Sequence, residues 1–269
     1  MRHKPRVPCR MSLCRTDTVV KNLMTTSVGR FTLLFAIALS APIAVASTRD
    51  GMERSKVNAV LDVCASCAFT TIQGAINSVA DADSALIRVA QGTYPETVIR
   101  AISGQIVVQG GWNASFSARS ESPNLTHIVH SGFGVVAARA GAGQSIGLTL
   151  DGFKVSGASS GSYEIGGGVA ASATAGGAVA LDISNCLITE NAASHGFGAG
   201  VGAVADGAHS IIDLTINRTR IVGNSITFYT GAGVYLLGHN QGTVNAHLSN
   251  TLVASNSSMY AGGIYAGAN

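Results

Sequence analysis

Residues 211–237 read IIDLTINRTRIVGNSITFYTGAGVYLL. The first part of this stretch alternates apolar and polar residues with a period of two, which is typical of a β-strand. A turn containing Asn224 follows, then a glycine-rich bend, and then a second short apolar run that begins at Val234. The same layout recurs in three other segments, at 148–171, 179–205 and 244–269. The sequence therefore predicts a repeat protein built from strands.

Two markers keep a common period of about 32 residues in these repeats. The aliphatic residue after the glycine-rich bend recurs as Val169, Val201, Val234 and Ile264. The turn asparagines, here called the asparagine ladder, are Asn191, Asn224 and Asn256. Many glycines, many β-branched residues and few helix-forming residues favour a parallel β-solenoid over helical repeats. We expect the ladder side chains to stack at the coil corners, and glycines such as 166–168, 231, 233, 262 and 263 to supply positive φ angles there.

Residues 70–80 have the pattern of a short amphipathic helix. Four apolar residues lie on one helical face: Ile72, Ala75, Ile76 and Val79. Thr70 and Gln73 have the spacing of a capping box. Because the first coil of a solenoid exposes an apolar end, we expect this helix to cover it.

The sequence stops directly after the second strand of a repeat, at 264–269. Solenoids normally end in a capping unit, so the pattern predicts that the C-terminal cap is missing and that the chain is truncated. We also expect self-association through the open last coil, because unpaired strand edges invite pairing.

The first 46 residues have the features of a secretory leader. They hold seven Lys or Arg and one acidic residue, a charge of +6, and they end in the apolar run FTLLFAIALSAPIAVA. The small-x-small ending predicts cleavage between Ala46 and Ser47. A membrane anchor is the alternative, but the run is shorter than the ~20 residues that span a bilayer and contains Pro42. Met24 is an alternative first residue.

The remaining chain holds ten basic and thirteen acidic residues, a charge of −3. It therefore offers no basic patch for nucleic acid, and we expect no transmembrane helix once the leader is removed. We divide it into an N-terminal extension, 47–69, and one β-helix domain, 70–269. In an oxidising compartment Cys64 and Cys67 can close a disulfide, although idle thiols are the alternative. Cys186 is expected to be a small buried apolar residue.

The segment TTIQGAINSVADADSALIRVAQGTYPETVI at 70–99, followed by VVQGGW at 107–112, resembles the first part of secreted proteins of the pectin-lyase-like superfamily. The later repeats resemble those of polymorphic outer membrane proteins, which combine a Gly-Gly-aliphatic element with Phe-x-x-Asn. Here an aliphatic residue replaces the Phe, and Ala158 stands where the first repeat should have Asn. The resemblance implies an all-β, right-handed parallel β-helix and an extracellular or outer cell surface location.

Enzymes of this superfamily act on acidic polysaccharides and carry signatures that this sequence lacks. The segment 92–96, Gly-Thr-Tyr-Pro-Glu, resembles the first pectinesterase segment, but the Asp-Phe-Ile-Phe-Gly and Leu-Gly-Arg-Pro-Trp segments are missing. His195 lies in a Ser-His-Gly sequence that is only vaguely similar to the Gly-His-Gly of polygalacturonases, and we assign it a surface role.

A lyase needs a bound cation, or another group that neutralises the substrate carboxylate, beside a basic residue that removes the proton α to that carboxylate. The residues around which such a site would form are Asp182, Asp213, Arg218 and Lys154. Registering the repeats on their turns aligns Gly152 with Asn185 and Arg218, so Asp151, Asp182 and Asp213 are not expected to stack.

These observations predict an exported, non-catalytic β-helix that presents an extended surface for adhesion, display or a structural role. Extracellular glycans or cell-surface components are the expected partners. The alternative is a polysaccharide lyase or hydrolase that acts on acidic glycans. No motif predicts catalytic residues, a cofactor or a metal site. Several aromatic residues could stack on sugars, although such residues more often fill or flank the core: Trp112 and tyrosines 163, 229, 235, 260 and 265.

Overall fold

The computed structural model describes residues 59–132, 134–160 and 164–268. Within this part the chain is almost entirely β, with one helix, α1, at Ile72–Asn77. The leader, its cleavage site at Ala46 and Ser47, and Tyr163 lie outside the described residues.

Three parallel sheets form the body of the molecule, and strands are numbered in chain order. Sheet I contains β1 (Ala59–Val63), β2 (Ser84–Ala90), β5 (Gly104–Trp112), β8 (Ser145–Asp151), β13 (Ala178–Ser184), β18 (Ile211–Asn217) and β22 (Thr243–Ser249). Sheet II contains β3 (Gly92–Tyr94), β6 (Thr126–Val129), β9 (Lys154–Ser156), β14 (Leu187–Thr189), β19 (Arg220–Val222) and β23 (Leu252–Ala254). Sheet III contains β4 (Val98–Arg100), β7 (Val136–Ala140), β12 (Val169–Thr174), β17 (Val201–Asp206), β21 (Val234–His239) and β24 (Ile264–Ala268).

Two small sheets lie in the loops that lead from sheet II to sheet III. One contains β10 (Ser159–Ser160), β15 (Ala192–Ala193) and β20 (Ser225–Ile226), and the other contains β11 (Glu164–Ile165) and β16 (Gly196–Phe197). The chain visits sheets I, II and III in turn and then starts the next coil. Each strand of the three main sheets pairs in parallel with its counterpart one coil away. The fold is therefore a parallel β-solenoid, as the repeats predict.

The aliphatic marker of the repeats sets the register of sheet III. Val169 pairs with Val201, Val201 with Val234, and Val234 with Ile264. The period read from the sequence is therefore confirmed as the coil length.

The interior is built from columns of identical or similar side chains. Leu148, Leu181 and Leu214 form one column on sheet I and are at most 1% exposed. On sheet III the matching interior column contains small residues, such as Ala171 and Ala203. One wall of the interior thus carries large side chains and another carries small ones. Burying each such leucine contributes about 1.5–3 kcal/mol.

The corner between sheets I and II repeats one backbone conformation. Gly152, Asn185, Arg218 and Asn250 occupy equivalent places and have φ angles of 81°, 51°, 48° and 50°. This alignment confirms the predicted register of the first three, because Asp151 pairs with Ser184 and Ser184 with Asn217. Glycine and asparagine adopt this left-handed conformation at low cost. Arg218 does so less readily, which indicates that the neighbouring coils impose the corner.

Helix α1 buries the predicted face, but its capping differs from the prediction. The helix is shorter than the predicted segment 70–80, and Ile72, Ala75 and Ile76 within it are at most 2% exposed. Val79, which follows the helix, is 6% exposed. The N-cap is Thr71 rather than Thr70, and its side chain accepts a hydrogen bond from the Gly74 amide. Gln73 does not close a capping box, since its Oε1 accepts from the Ile99 amide at 2.6 Å and its Nε2 donates to the Ile99 carbonyl at 3.1 Å. These bonds attach the helix to β4. The strand that precedes the helix in the chain, β1, pairs with β2 through all five of its residues.

Most glycines of the bends serve close packing rather than positive φ angles. Among those expected to need one, Gly166 and Gly231 have it, at 65° and 70°. A Cβ on Gly168 would lie 2.8 Å from the Gly200 carbonyl, and one on Gly233 would lie 2.5 Å from the Gly263 carbonyl. The expectation of a positive φ angle is therefore wrong for glycines 167, 168, 233, 262 and 263. At Gly168 and Gly233 the next coil leaves no room for a side chain.

The last described coil exposes an apolar side chain in a column that earlier coils bury. Ile264 is 49% exposed. In the earlier coil, Val234, the partner of Ile264, is fully buried.

Candidate functional site

The asparagine ladder holds the loops between sheets II and III in register. Asn191 Nδ2 donates to Asn224 Oδ1 at 3.0 Å, and Asn224 Nδ2 donates to Asn256 Oδ1 at 2.9 Å. Each of these two oxygens also accepts from the backbone amide of the preceding asparagine, at 3.2 Å and 2.9 Å. The ladder begins at Ala158, whose amide donates to Asn191 Oδ1. Each loop therefore leaves the corner from an equivalent place.

This register brings aromatic residues to equivalent loop positions. His195, Phe228 and Tyr260 each lie four residues after a ladder asparagine. The loops pair beyond the ladder, since Thr227 and Phe228 donate backbone hydrogen bonds to Ala193 and Ser194. An aromatic residue at a fixed distance from each ladder asparagine is therefore a signal that the sequence carries.

Six aromatic side chains from these loops and from sheet III form one connected cluster, here called the aromatic patch: His195, Phe197, Phe228, Tyr229, Tyr235 and Tyr265. Its two closest parallel pairs join neighbouring coils. The rings of His195 and Phe228 stack with centroids 4.8 Å apart, and those of Tyr235 and Tyr265 stack at 5.0 Å with an interplanar angle of 11°.

Phe197 connects the two stacks. Its centroid lies 4.8 Å from that of Tyr235 and 5.5 Å from that of Tyr229, the latter edge-on. Such offset and edge-to-face contacts stabilise aromatic clusters. The rings therefore support one another instead of standing as isolated surface residues.

Small residues on the outer face of sheet III make room for the patch. Gly202 pairs with Tyr235 and with Ala170 in the register of this sheet. A Cβ on Gly202 would lie 2.6 Å from the Phe197 carbonyl and 2.5 Å from the Gly166 amide nitrogen. The loops around Gly166 and Phe197 thus fold back onto the sheet where its side chains are absent or small. Gly202 is a positioning residue for Phe197.

The patch is partly open to solvent, and its six members include no carboxylate, lysine or arginine. Phe228 is 51% exposed and Tyr265 is 37% exposed, whereas Tyr235 is 4% exposed. Burial, and secondarily Tyr265, raises the pKa of the Tyr235 hydroxyl. Tyr235 therefore stays neutral at ordinary pH, and the patch offers flat apolar rings with hydroxyl and imidazole groups at their edges.

The residues considered for an enzymatic site lie in separate columns. Asp182 pairs with Thr215 on sheet I, whereas Asp213 pairs with Asn245, whose Nδ2 donates to the Asp213 carboxylate at 2.9 Å. Lys154 lies on sheet II and forms an ion pair with Glu190 at 3.2 Å. The prediction that the aspartates do not stack is confirmed by this register.

Arg218 is exposed at the corner between sheets I and II. The other arginine of this region, Arg220, lies on sheet II in the register position of Leu187 and Leu252. Leu187 separates it from Lys154 in that register. The cations of this face are therefore spread over different coils.

Asp151 belongs to a polar network at the corner of sheets I and II. Its carboxylate lies 2.7 Å from the Arg119 guanidinium and accepts a second hydrogen bond from Asn185 Nδ2 at 2.7 Å. The two charged side chains are only 16% and 14% exposed. Arg119 also donates to the Gly110 carbonyl. The sequence carried no signal for this pairing, because Arg119 lies in an irregular segment outside the repeats.

The Gly-Thr-Tyr-Pro-Glu segment serves the N-terminal cap. The Glu96 carboxylate accepts from the amides of Ile72 and Gln73, both at 2.8 Å, at the start of α1. A carboxylate at a helix N-terminus stabilises it through the free amides and the helix dipole. The Tyr94 hydroxyl donates to the Ala90 carbonyl, and burial, with a smaller effect of Glu96, raises the Tyr94 pKa to about 12.

The cysteines occupy two different environments. Cys64 and Cys67 are joined by a disulfide with a Cα–Cα distance of 5.0 Å, in the loop between β1 and α1. Cys186 is a buried free thiol, and burial raises its pKa to about 12. At that pKa the thiol stays protonated and unreactive.

Within the described residues there is no group of three or more His, Cys, Asp or Glu side chains that could hold a metal ion. In the same part of the chain, no helix has the length and apolar character needed to cross a membrane.

Comparisons with known proteins return solved structures only. No protein-family model matches the chain, and no curated protein matches it. A pectin methylesterase from Aspergillus niger in deglycosylated form is similar over 74% of this chain and 86% of its own, with 15% identity and a TM-score of 0.35. A penultimately deglycosylated form of that enzyme covers 77% and 88%, with 16% identity and a TM-score of 0.33. These likenesses are distant, and the fold assignment rests on the strand pairing described above.

Proposed function

We propose that this protein is an exported, non-catalytic parallel β-helix that presents the aromatic patch to glycans outside the cell. The observation that carries the proposal is the connected set of rings held by neighbouring coils, with Phe228 half-exposed at its edge. The stacked coils supply a rigid support, since each coil contacts its neighbours along three sheets.

Aromatic rings bind sugars by stacking against the apolar C–H faces of pyranose rings. The patch combines such faces with polar edges, a composition common in small-molecule binding surfaces. None of its six members is a lysine or arginine, which would pair with carboxylates. Neutral glycans are therefore favoured over acidic ones as partners.

Binding to a panel of neutral and uronate-containing polysaccharides, measured by affinity gel electrophoresis, tests this proposal. We expect retardation by at least one neutral glycan, and loss of that retardation in Phe228→Ala. Leu252→Ala is the matched control, since Leu252 is 49% exposed but lies on sheet II outside the patch. Equal retardation of both variants, or retardation by uronates alone, would contradict the proposal.

Export is supported by the leader pattern in residues 1–46. An extracellular or outer-surface location is also what the likeness of the repeats to polymorphic outer membrane proteins implies. Expression of the full chain followed by fractionation should place the protein outside the cytoplasm, with a mature N-terminus at Ser47. A cytoplasmic product that retains residues 1–46 would refute export.

The alternative, a lyase or hydrolase for acidic glycans, would need the acidic and basic residues of sheets I and II to converge. In the structure Lys154 is paired with Glu190, and Asp213 is bonded to Asn245. We therefore expect no unsaturated uronate product and no new reducing ends from pectin or alginate. Release of either product, abolished by Asp213→Asn, would support the enzyme.

Self-association through the last described coil is a separate part of this proposal. It is supported by the exposure of Ile264, whose counterpart Val234 is fully buried, and by the tendency of open strand edges to pair. Sedimentation velocity of residues 47–269 should show oligomers that increase with concentration. A monomer at all concentrations would overturn this part without affecting glycan binding.

A further inference from the structure

His127 connects two neighbouring strands on the outer face of sheet II. Its register partners are Thr93 on β3 and Lys154 on β9. Its Nε2 atom lies 2.8 Å from Oγ of Ser156, a residue that is only 2% exposed. The ring therefore joins β6 to β9 by a side-chain hydrogen bond in addition to the backbone pairing.

Two charged groups face this ring. Lys154 is the directly opposite residue on β9, and its ammonium lies 3.2 Å from the Glu190 carboxylate, which follows β14. The Glu190 side chain is 67% exposed, whereas that of Lys154 is 24% exposed. From β3 the facing residue is Thr93, which does not titrate. The charged residue directly opposite His127 is thus Lys154, which is less exposed to water than its ion-pair partner Glu190.

We infer that His127 is an acid-sensitive latch: its protonation places an imidazolium opposite the Lys154 ammonium and loosens residues 126–129 from β9. Like charges on directly opposite residues of neighbouring strands destabilise the pairing. The short Ser156 hydrogen bond constrains the ring, so that it cannot swing away from Lys154 without breaking that bond. Glu190 offsets the repulsion only in part, because most of its side chain is in water.

The direction of the His127 pKa shift is consistent with an acid-sensitive latch. Burial lowers the pKa of His127, Lys154 lowers it further, and Glu190 raises it. In the unfolded chain a histidine titrates near a pKa of about 6.5. The pKa of His127 is lower in the folded protein than in the unfolded chain. The stability that the neutral ring contributes is therefore complete above a pH of about 6.5 and is lost as the pH falls through the folded pKa.

Hydrogen exchange measured by mass spectrometry at pH 7.5 and at pH 5, corrected for intrinsic exchange, tests the latch in the folded protein. In the unmodified chain we expect exchange in peptides covering 126–129 to be about fivefold faster at the lower pH, the size expected for opposed like charges across strands. Peptides of β18 should not change, which separates local loosening from global unfolding.

Three variants make the test specific. His127→Gln keeps a group that can bond to Ser156 but cannot become charged, and it should abolish the pH effect. Lys154→Gln removes the opposing cation and should reduce the effect. His247→Gln is the control, because His247 is exposed on the outer face of sheet I, and it should behave like the unmodified chain.

A pH effect on 126–129 that survives in both His127→Gln and Lys154→Gln would overturn the inference, as would the absence of any effect in the unmodified chain. Neither result bears on glycan binding, since His127 lies outside the aromatic patch.

Discussion

Replacing Asn224 by alanine tests how much the asparagine ladder stabilises the solenoid. Asn224 is fully buried and takes part in four side-chain hydrogen bonds. Its Oδ1 accepts from the amide and the Nδ2 of Asn191, and its Nδ2 donates to the Ile188 carbonyl and to Asn256 Oδ1. Alanine removes these bonds at once and leaves the partners inside the corner.

The expected loss follows from the buried partners. The Asn191 amide and the Ile188 carbonyl would remain in the interior without a side-chain partner. Each buried group left unsatisfied costs about 1–3 kcal/mol. Water can reach the more exposed Asn256, so its loss is smaller. We therefore expect Asn224→Ala to lower the free energy of unfolding by about 3–5 kcal/mol.

Urea denaturation followed by circular dichroism measures this change, provided that the transition midpoint moves while its slope stays constant. Asn245→Ala is the matched control, because Asn245 is exposed and makes one side-chain hydrogen bond, to Asp213. It should change stability by less than about 0.5 kcal/mol. A loss below about 1 kcal/mol for Asn224→Ala would be no larger than one ordinary hydrogen bond, and the ladder would then not be a principal source of stability.

Three further outcomes are expected. Gly200→Ala should lower the melting temperature by the equivalent of about 1–3 kcal/mol, because its Cβ would lie 2.5 Å from the Gly233 carbonyl; Gly263→Ala, which meets nothing within 4 Å, should not. Asp151→Asn should lower the free energy of unfolding in urea by about 1–3 kcal/mol, because the largely buried Arg119 guanidinium loses its charged partner; an unchanged midpoint would contradict this. Tyr94 should ionise late in a spectrophotometric titration, because its pKa is raised from 10.0 to about 12. Its contribution to stability is therefore complete below pH 10 and lost towards pH 12. Tyr94→Phe should remove that late step.

The parts of the fold that sequence could predict are those that repeat. Val201 and Asn224 recur at one period because every coil places them against their own counterparts, so each repeat reports the same constraint. The corner at Gly152, Asn185 and Arg218 could be aligned for the same reason. A single copy of any of these residues would have carried little information.

Contacts that occur once were not predictable from the sequence. Glu96 meets the helix N-terminus more than twenty residues away, and Arg119 meets Asp151 across an irregular segment. The N-cap prediction was wrong by one residue because both Thr70 and Thr71 have suitable side chains. The predicted capping box does not form because the Gln73 side chain hydrogen-bonds to the Ile99 backbone instead. These outcomes depend on distances between coils, which no local pattern encodes.

The aromatic patch lies between these two cases. Its loop position recurs with the ladder, and in that respect it could have been found. Its contact with Tyr235 and Tyr265 depends on the small residue at Gly202, which lets the loop fold onto sheet III. That dependence is three-dimensional, so the sequence indicated aromatic residues without indicating that they meet.

The ladder also has a consequence for how such a protein can change length over evolutionary time. The bond from Asn191 to Asn224 and the bond from Asn224 to Asn256 are chemically the same and differ in sequence separation by one residue, 33 against 32. If recombination removed one whole repeat, Asn191 would meet Asn256 with the same geometry, and the valine column of sheet III would close in the same way. The gene can therefore gain or lose entire coils while the ladder and the sheet III column stay in register. Differences of a few residues are absorbed in the loops, since the spacings from Val169 to Val201, Val234 and Ile264 are 32, 33 and 30 residues within one register.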